Sequence, residues 1–236
     1  MNLRRDVKSD TERNTWLLIP AYNVEAYLGR LLQEALLYLT AQTILVVNDG
    51  STDNTAGVAE SHHVNLVSHP RNSGKGAALR TGFDYLLGRG AEWVITIDGD
   101  LQHDPSRLPD FIEQAELDDH DIIIGTRQRK VGGMPWDRRF SNWATSLILS
   151  IVTGQKVSDS QSGYRLIRCR MLKGMEFRCK GYDFETEMLL KLSRVGARIG
   201  SIEIPTIYDG APSTINSVKD TLKFLKVILR FILTKK

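Results

Sequence analysis

Two aspartates one residue apart, Asp98 and Asp100, follow the apolar, β-branched run Trp93-Val94-Ile95-Thr96-Ile97. Such a run reads as a buried parallel strand whose carboxyl end delivers both carboxylates to a loop. Ligands of open α/β sheets bind outside the carboxyl ends of the strands. Two carboxylates that close repel each other unless a cation lies between them or one takes up a proton. Oxygen ligands suit Mg²⁺ or Mn²⁺, and Mg²⁺ takes one or two carboxylates plus substrate phosphates. The pair therefore points to a metal–diphosphate site; its plainer reading is a solvated acidic turn. A second stretch, Arg71-Asn72-Ser73-Gly74-Lys75-Gly76, could bring backbone N–H groups and a basic side chain to a phosphate. It lacks the G-x-x-x-x-G-K-[ST] of a P-loop. Its plainer reading is a glycine-rich helix start.

These residues need elements to position them. Apolar runs predict strands at 15–19, 44–47, 64–67, 92–97 and 122–125. Apolar residues at helical spacing predict a helix over 25–39, a short one ending near Ser61, one opening after 71–76 and running to Leu87, and one over 105–116. Strands alternating with helices mean βαβ units: an α/β fold with a mostly parallel, Rossmann-like sheet flanked by helices. Beyond Thr126 the rhythm breaks. A polar loop over 127–137 is long enough to be functional. A helix over 140–152, a returning strand over 162–167, a helix over 183–195, a strand over 198–204 and a final helix over 218–233 complete the chain. No linker divides it. The expected organisation is a polar segment at 1–14, one α/β domain at 15–215 and a basic amphipathic helix at 216–236. A nicotinamide dehydrogenase is excluded. That fold needs G-x-G-x-x-G after its first strand, whereas Pro20-Ala21-Tyr22-Asn23 stands here, with no glycine before Gly29.

Composition narrows the classes further. An apolar fraction of 42% in 236 residues supplies a sizeable core, and 25% charged residues is ordinary for a soluble protein. Two cysteines, Cys169 and Cys179, argue against a disulfide scaffold and fit a reducing compartment. No Cys/His spacing suggests zinc. Residues 1–14 carry no apolar signal-peptide core. No apolar run reaches the roughly 18 residues of a spanning helix. Charge is concentrated at the end: residues 219–236 hold six basic residues and one acidic one, on a chain of net charge +3. Lys219, Lys223, Lys226 and Arg230 recur on one helical face, and Val218, Leu222, Leu225, Leu229, Phe231 and Ile232 lie elsewhere. A basic amphipathic helix fits an anionic membrane surface, and residues 138–152 look like a second interfacial segment. The plainer reading of both is a helix packed on the domain. A separate membrane subunit could also dock on the tail; no nucleic acid is expected as a partner. Trp16 and Trp93 read as core packing, His62 and His63 as surface residues, and His103 as a neighbour of the site rather than a ligand.

The motifs taken in order carry a family resemblance. They are Pro20-Ala21-Tyr22-Asn23, Asn48-Asp49-Gly50-Ser51-Thr52-Asp53, Asn72-Ser73-Gly74-Lys75-Gly76-Ala77 and Asp98-Gly99-Asp100-Leu101-Gln102-His103. This set resembles an inverting family 2 glycosyltransferase with the GT-A fold, over roughly 17–215. Gly125-Thr126-Arg127, the run from Asp159 to Arg165 and the run from Gly181 to Glu187 resemble the dolichol-phosphate mannose synthase and polyprenyl-phosphate glycosyltransferase branch. The resemblance implies a nucleoside held by Pro20, Tyr22 and Asp49, with Asp49 facing the base. Asn23, Glu25, Arg71 and Lys75 belong to the same donor-binding loops. It implies Mg²⁺ or Mn²⁺ and the diphosphate on Asp98, Asp100 and Gln102, an acceptor phosphate near Arg127 and Arg165, and an acidic group, Glu187, on the helix below. The expected reaction is transfer of a UDP- or GDP-linked sugar to a membrane polyprenyl phosphate, by a cytoplasmic protein peripheral on the inner face of the cell membrane. The alternative is transfer to a hydroxyl of a glycolipid or glycan, with Asp183, Glu185 or Glu187 as base. Residues 207–216, which lack the synthases' basic segment, lean toward it. An alternative of another class is a non-catalytic nucleotide-binding, membrane-associated module.

Overall fold

The computed structural model describes residues 14–127, 136–205 and 217–234, with the side chains of 136–139 and 217–220 outside that description. Seven strands form one sheet: β1 (Thr15–Ala21), β2 (Ile44–Asn48), β3 (Asn65–Ser68), β4 (Trp93–Thr96), β5 (Ile122–Arg127), β6 (Arg165–Arg168) and β7 (Ile199–Ile204). Their order is β3-β2-β1-β4-β6-β5-β7. β1 pairs in parallel with β2 and β4, β2 with β3, and β5 with β7. β6 is inserted antiparallel between β4 and β5. The helices are α1 (Glu25–Ala35), α2 (Thr55–Ser61), α3 (Lys75–Gly88), α4 (Leu108–Leu117), α5 (Trp136–Thr153), α6 (Asp183–Arg194) and α7 (Ser217–Leu233).

Successive strand residues point to opposite faces, and here both faces are covered. Leu17 and Ile19 pack with Leu28 and Leu32 of α1 and Phe111 of α4. Leu18 packs with Leu79 and Phe83 of α3, Leu189 of α6 and Val227 of α7. That sandwich explains why the central strands read as unbroken apolar runs. The mostly parallel sheet flanked by helices is thus the expected architecture.

Several boundaries move. β1 runs on through Pro20 to Ala21, which was expected to be loop, because Pro20 is buried and lies opposite Val47 in the ladder. α1 ends at Ala35 and the chain leaves it in turns, with Leu37 exposed. The central strand ends at Thr96, since Thr96 Oγ1 donates to Gly163 O at 2.8 Å as the chain turns toward Asp98. Most of the polar loop over 127–137, and all of 207–216, lie outside the described residues, as does the segment 1–13.

Candidate active site

The loops at the carboxyl ends of β1 and β2 are fastened to each other. Asn23, at φ 53°, receives the Thr52 N–H on its Oδ1 at 2.8 Å, and its own N–H donates to Ser51 Oγ at 3.0 Å. Glu25 Oε2 accepts from Asn54 N at 2.8 Å. Both side chains, expected at the nucleotide, are here spent on joining two loops. Tyr22 beside them is exposed, whereas Pro20 is buried with its carbonyl beneath Gly99.

Asp49 is drawn in further still. It is 3% exposed. Its carboxylate accepts from Ser73 N at 2.9 Å and Gly74 N at 2.7 Å, and it pairs with His69 Nδ1 at 2.7 Å. Asp49 was expected to face a base; here it caps the start of α3 and leaves almost no surface for one. The glycine-rich stretch is docked on the segment before α6. Gly74 has φ 97°, and a Cβ there would lie 2.4 Å from Lys180 O; one on Gly76 would lie 2.5 Å from Phe184 Cβ. Gly76 N donates to Lys180 O at 2.8 Å. Only glycine permits that approach. Arg71 is exposed, its backbone against Gly50.

This docking sends the Lys75 side chain to Asp98. Nζ lies 2.6 Å from Asp98 Oδ1 and 3.2 Å from Glu185 Oε1, and 5.7 Å from the centre of the Tyr182 ring. Burial opposes a charged Lys75, but the two carboxylates outweigh it and raise its pKa. Burial likewise works against a charged Asp98, yet Lys75 and Arg127 hold it below the usual carboxylate range. Asp100 goes the other way: burial and then the charge of Asp98 raise it. Its Oδ1 accepts from Gln102 N at 3.1 Å. His103 is 4% exposed and its Nδ1 has no hydrogen-bond partner. Burial pushes its imidazole down to about 4, against the pull of Asp98. Gly163 closes the far side, where a Cβ would sit 2.4 Å from Asp98 Oδ2.

A cation fits this pair. A carboxylate whose proton affinity is raised by an adjacent carboxylate is relieved when a dication lies between them. No group of three His, Cys, Asp or Glu ligands occurs among the described residues. Asp98, Asp100 and Gln102 would therefore share the ion with donor phosphate oxygens, the mode in which Mg²⁺ is usually held.

Three residues expected in the chemistry make their hydrogen bonds to other groups. Arg127 is bidentate on Asp159, with Nε to Oδ2 at 2.8 Å and Nη2 to Oδ1 at 3.0 Å. Burial would raise Asp159, but Arg127 and Asn142 hold it low. Arg165, expected at the acceptor phosphate, has no exposed surface. It donates to the carbonyls of Ser160 and Ser162 at 2.8 Å and of Glu185 at 3.2 Å. An enclosed guanidinium whose donors are taken by backbone carbonyls acts here as a brace. Glu187, expected on the helix below, lies on α6, where it accepts from Arg178 N at 2.9 Å and Cys179 N at 2.8 Å and pairs with Lys191 at 2.8 Å. Of the three acidic residues on α6, Glu185 enters the cluster. Sequence reasoning gave Asp159 and Gly163 no role, although both lie in a motif it singled out.

Residues 16–175 match the family model described as glycosyl transferase family 2. The chain belongs to that family. An undecaprenyl-phosphate mannosyltransferase of Micrococcus luteus is 32% identical over 206 residues, covering 81% of this chain and 82% of that one. A UDP-N-acetylglucosamine–dolichyl-phosphate N-acetylglucosaminyltransferase of Methanococcus voltae is 29% identical over 82% of this chain and 85% of that one. Among solved structures, glucosyl-3-phosphoglycerate synthase of Mycobacterium tuberculosis with Mn²⁺, UDP and glucosyl-3-phosphoglycerate superposes at TM-score 0.72 and 19% identity, covering 94% and 81%. That likeness establishes the shared fold. Asp98 and Asp100 lie just beyond the end of β4, within the matched residues.

Proposed function

We propose that the protein transfers a sugar, with inversion and with Mg²⁺ or Mn²⁺, from a nucleoside-diphosphate sugar to a hydroxyl-bearing acceptor. Asp98, Asp100 and Gln102 would hold the ion, and Lys75 and the start of α3 would face the diphosphate. The ion, when bound, neutralises the charge that grows on the leaving diphosphate. The observation that carries the acceptor reading is Glu185. Its carboxylate is 6% exposed and sits 3.2 Å from the Lys75 ammonium beside Asp98. A hydroxyl must lose its proton as it attacks, which calls for a base at that place. The arginines expected to hold an acceptor phosphate are spent on Asp159 and on backbone carbonyls.

A second reading, a polyprenyl phosphate acceptor, is supported by the acceptors in the relatives' names and by the outer face of α7. There Leu222, Leu225, Leu229 and Ile232 form an exposed stripe opposite the Phe224, Val227 and Ile228 face packed on the core. A phosphate oxygen is already anionic and needs no base.

One experiment tests both. Purified protein with Mg²⁺ or Mn²⁺ and labelled UDP- and GDP-sugars is offered polyprenyl phosphate or soluble hydroxyl acceptors, alongside Asp100→Asn and Glu185→Gln. Asp100→Asn is expected to lose transfer by about 100-fold or more. Glu185→Gln is expected to lose about 100-fold with a hydroxyl acceptor, the range of general-base catalysis. Label in polyprenyl phosphate that survives Glu185→Gln replaces the hydroxyl reading with the second one. Full transfer by Asp100→Asn overturns the metal assignment.

A further inference from the structure

The ion pair between Lys75 and Asp98 bears on how the site loads, granted the donor–metal reading above. The backbone of Lys75 is fixed: it lies between Gly74 at φ 97° and Gly76, whose N–H is bonded to Lys180 O at 2.8 Å. Any movement of its charge must therefore come from its side chain. Asp98 has no comparable freedom. Lys75 Nζ holds Oδ1 at 2.6 Å, and the backbone of residue 163 lies so close on the other side that a Cβ there would be 2.4 Å from Oδ2. A dication seeking Asp98 meets an ammonium already on it. Two cations on one carboxylate in a half-buried site repel strongly. The lysine has a second seat, since Glu185 Oε1 is 3.2 Å from the same nitrogen. A diphosphate at the start of α3 would offer a third, aided by the unsatisfied N–H groups there.

We propose that Lys75 and the divalent cation are alternative partners of Asp98, and that the donor diphosphate draws Lys75 away, so that metal and donor load together. Lys75 is then a positioning residue that couples two ligands. The cation alone meets an occupied carboxylate. The donor alone meets Asp98 and Asp100 with one lysine to offset them. Together they give each charged group a partner of opposite sign. Glu185 lowers the cost of moving the lysine, because the ammonium keeps this partner, and can close on it, once Asp98 is taken.

The test is Mn²⁺ binding, read from the electron paramagnetic resonance signal of free Mn²⁺, with and without UDP, so that no turnover is involved. For the wild type, UDP is expected to tighten Mn²⁺ by about tenfold or more, within the usual range of ligand coupling. Lys75→Met is expected to bind Mn²⁺ alone about tenfold more tightly than wild type, and UDP should then tighten it clearly less than it does in wild type, what remains being the ligation of the ion by the phosphate oxygens themselves. Glu185→Gln should weaken binding of Mn²⁺ alone severalfold, because the displaced lysine loses its second seat. Lys75→Met that binds Mn²⁺ no better than wild type, with the UDP effect intact, overturns the proposal and leaves the donor–metal reading standing. If Lys75→Met fails to fold, unchanged Mn²⁺ binding by Glu185→Gln overturns it equally. Wild type that takes up no Mn²⁺ even with UDP overturns the donor–metal reading itself.

Discussion

Asp98 is a carboxylate with a lysine on one oxygen and a glycine backbone against the other. Gly163→Ala would push a methyl into that carboxylate; overpacking of this kind costs about 1–3 kcal/mol. Its expected effect is a loss of transfer of at least about tenfold, checked by kinetics alongside urea denaturation. Arg165 predicts the opposite balance. Arg165→Met would strand the carbonyls of Ser160 and Ser162, and each stranded buried group costs about 1–3 kcal/mol. Denaturation should therefore show a loss of several kcal/mol. A variant that is fully stable but inactive would restore Arg165 to the acceptor site. Asp159 gives a pH dependence. Its folded pKa lies below the unfolded value of about 3.9, so its contribution is fully present above that value and is lost as pH falls through the folded pKa. The stability gap between wild type and Asp159→Asn should be flat above about pH 5 and shrink below about pH 4. A gap that widens in acid would contradict the assignment of Arg127 as its partner.

At the scale of elements, the glycine-rich turn decides where the chemistry meets. Gly76→Ala would force α3 off the start of α6, where Phe184 Cβ lies 2.5 Å from the added carbon. It should weaken UDP binding and lower stability by about 1–3 kcal/mol, measured by calorimetry and denaturation. The strands and helices of the sheet were legible because both faces of the sheet are buried and each element keeps its period. The Asp98/Asp100 turn was legible for the same reason: it ends an apolar strand. What escaped was the direction of side chains set by contacts far apart in the chain. Nothing local tells Arg165 from a phosphate ligand, since its partners are backbone carbonyls. Choosing Glu185 over Asp183 and Glu187 needed the phase of α6 against Lys75, a residue about a hundred positions away. Asn23, Glu25 and Asp49 lie in loops with a ligand-binding look, and there the polar side chains serve the orphan N–H groups of neighbouring loops and helix starts.

For the whole molecule, the question is what α7 turns outward. Its inner face packs on α6, with the Arg194 guanidinium stacked 3.7 Å from the Phe231 ring centre. Its outer stripe of leucines is bordered by Lys226 and Arg230, both exposed. No helix among the described residues is long and apolar enough to cross a membrane. On the polyprenyl phosphate reading, this face would lie on an anionic bilayer. The double variant Leu225→Asp/Leu229→Asp should lose co-sedimentation with phosphatidylglycerol vesicles while keeping its UDP affinity. Binding that survives it would take the membrane contact off this face, and wild type that does not bind the vesicles would remove the membrane from the account.

The place of β6 sets an order of assembly. β1 to β4 pair among themselves within the first hundred residues, whereas β5 and β7 touch that group in the sheet only through β6. A chain emerging from the ribosome can thus build that half early, but Gly163, Arg165 and Glu185 come only after β5. Distant contacts form slowly because the intervening loop must first close. The carboxylate pair consequently stays unfinished until nearly all of the sheet is made, so a nascent or truncated chain presents Asp98 without its lid and without competence to handle a sugar.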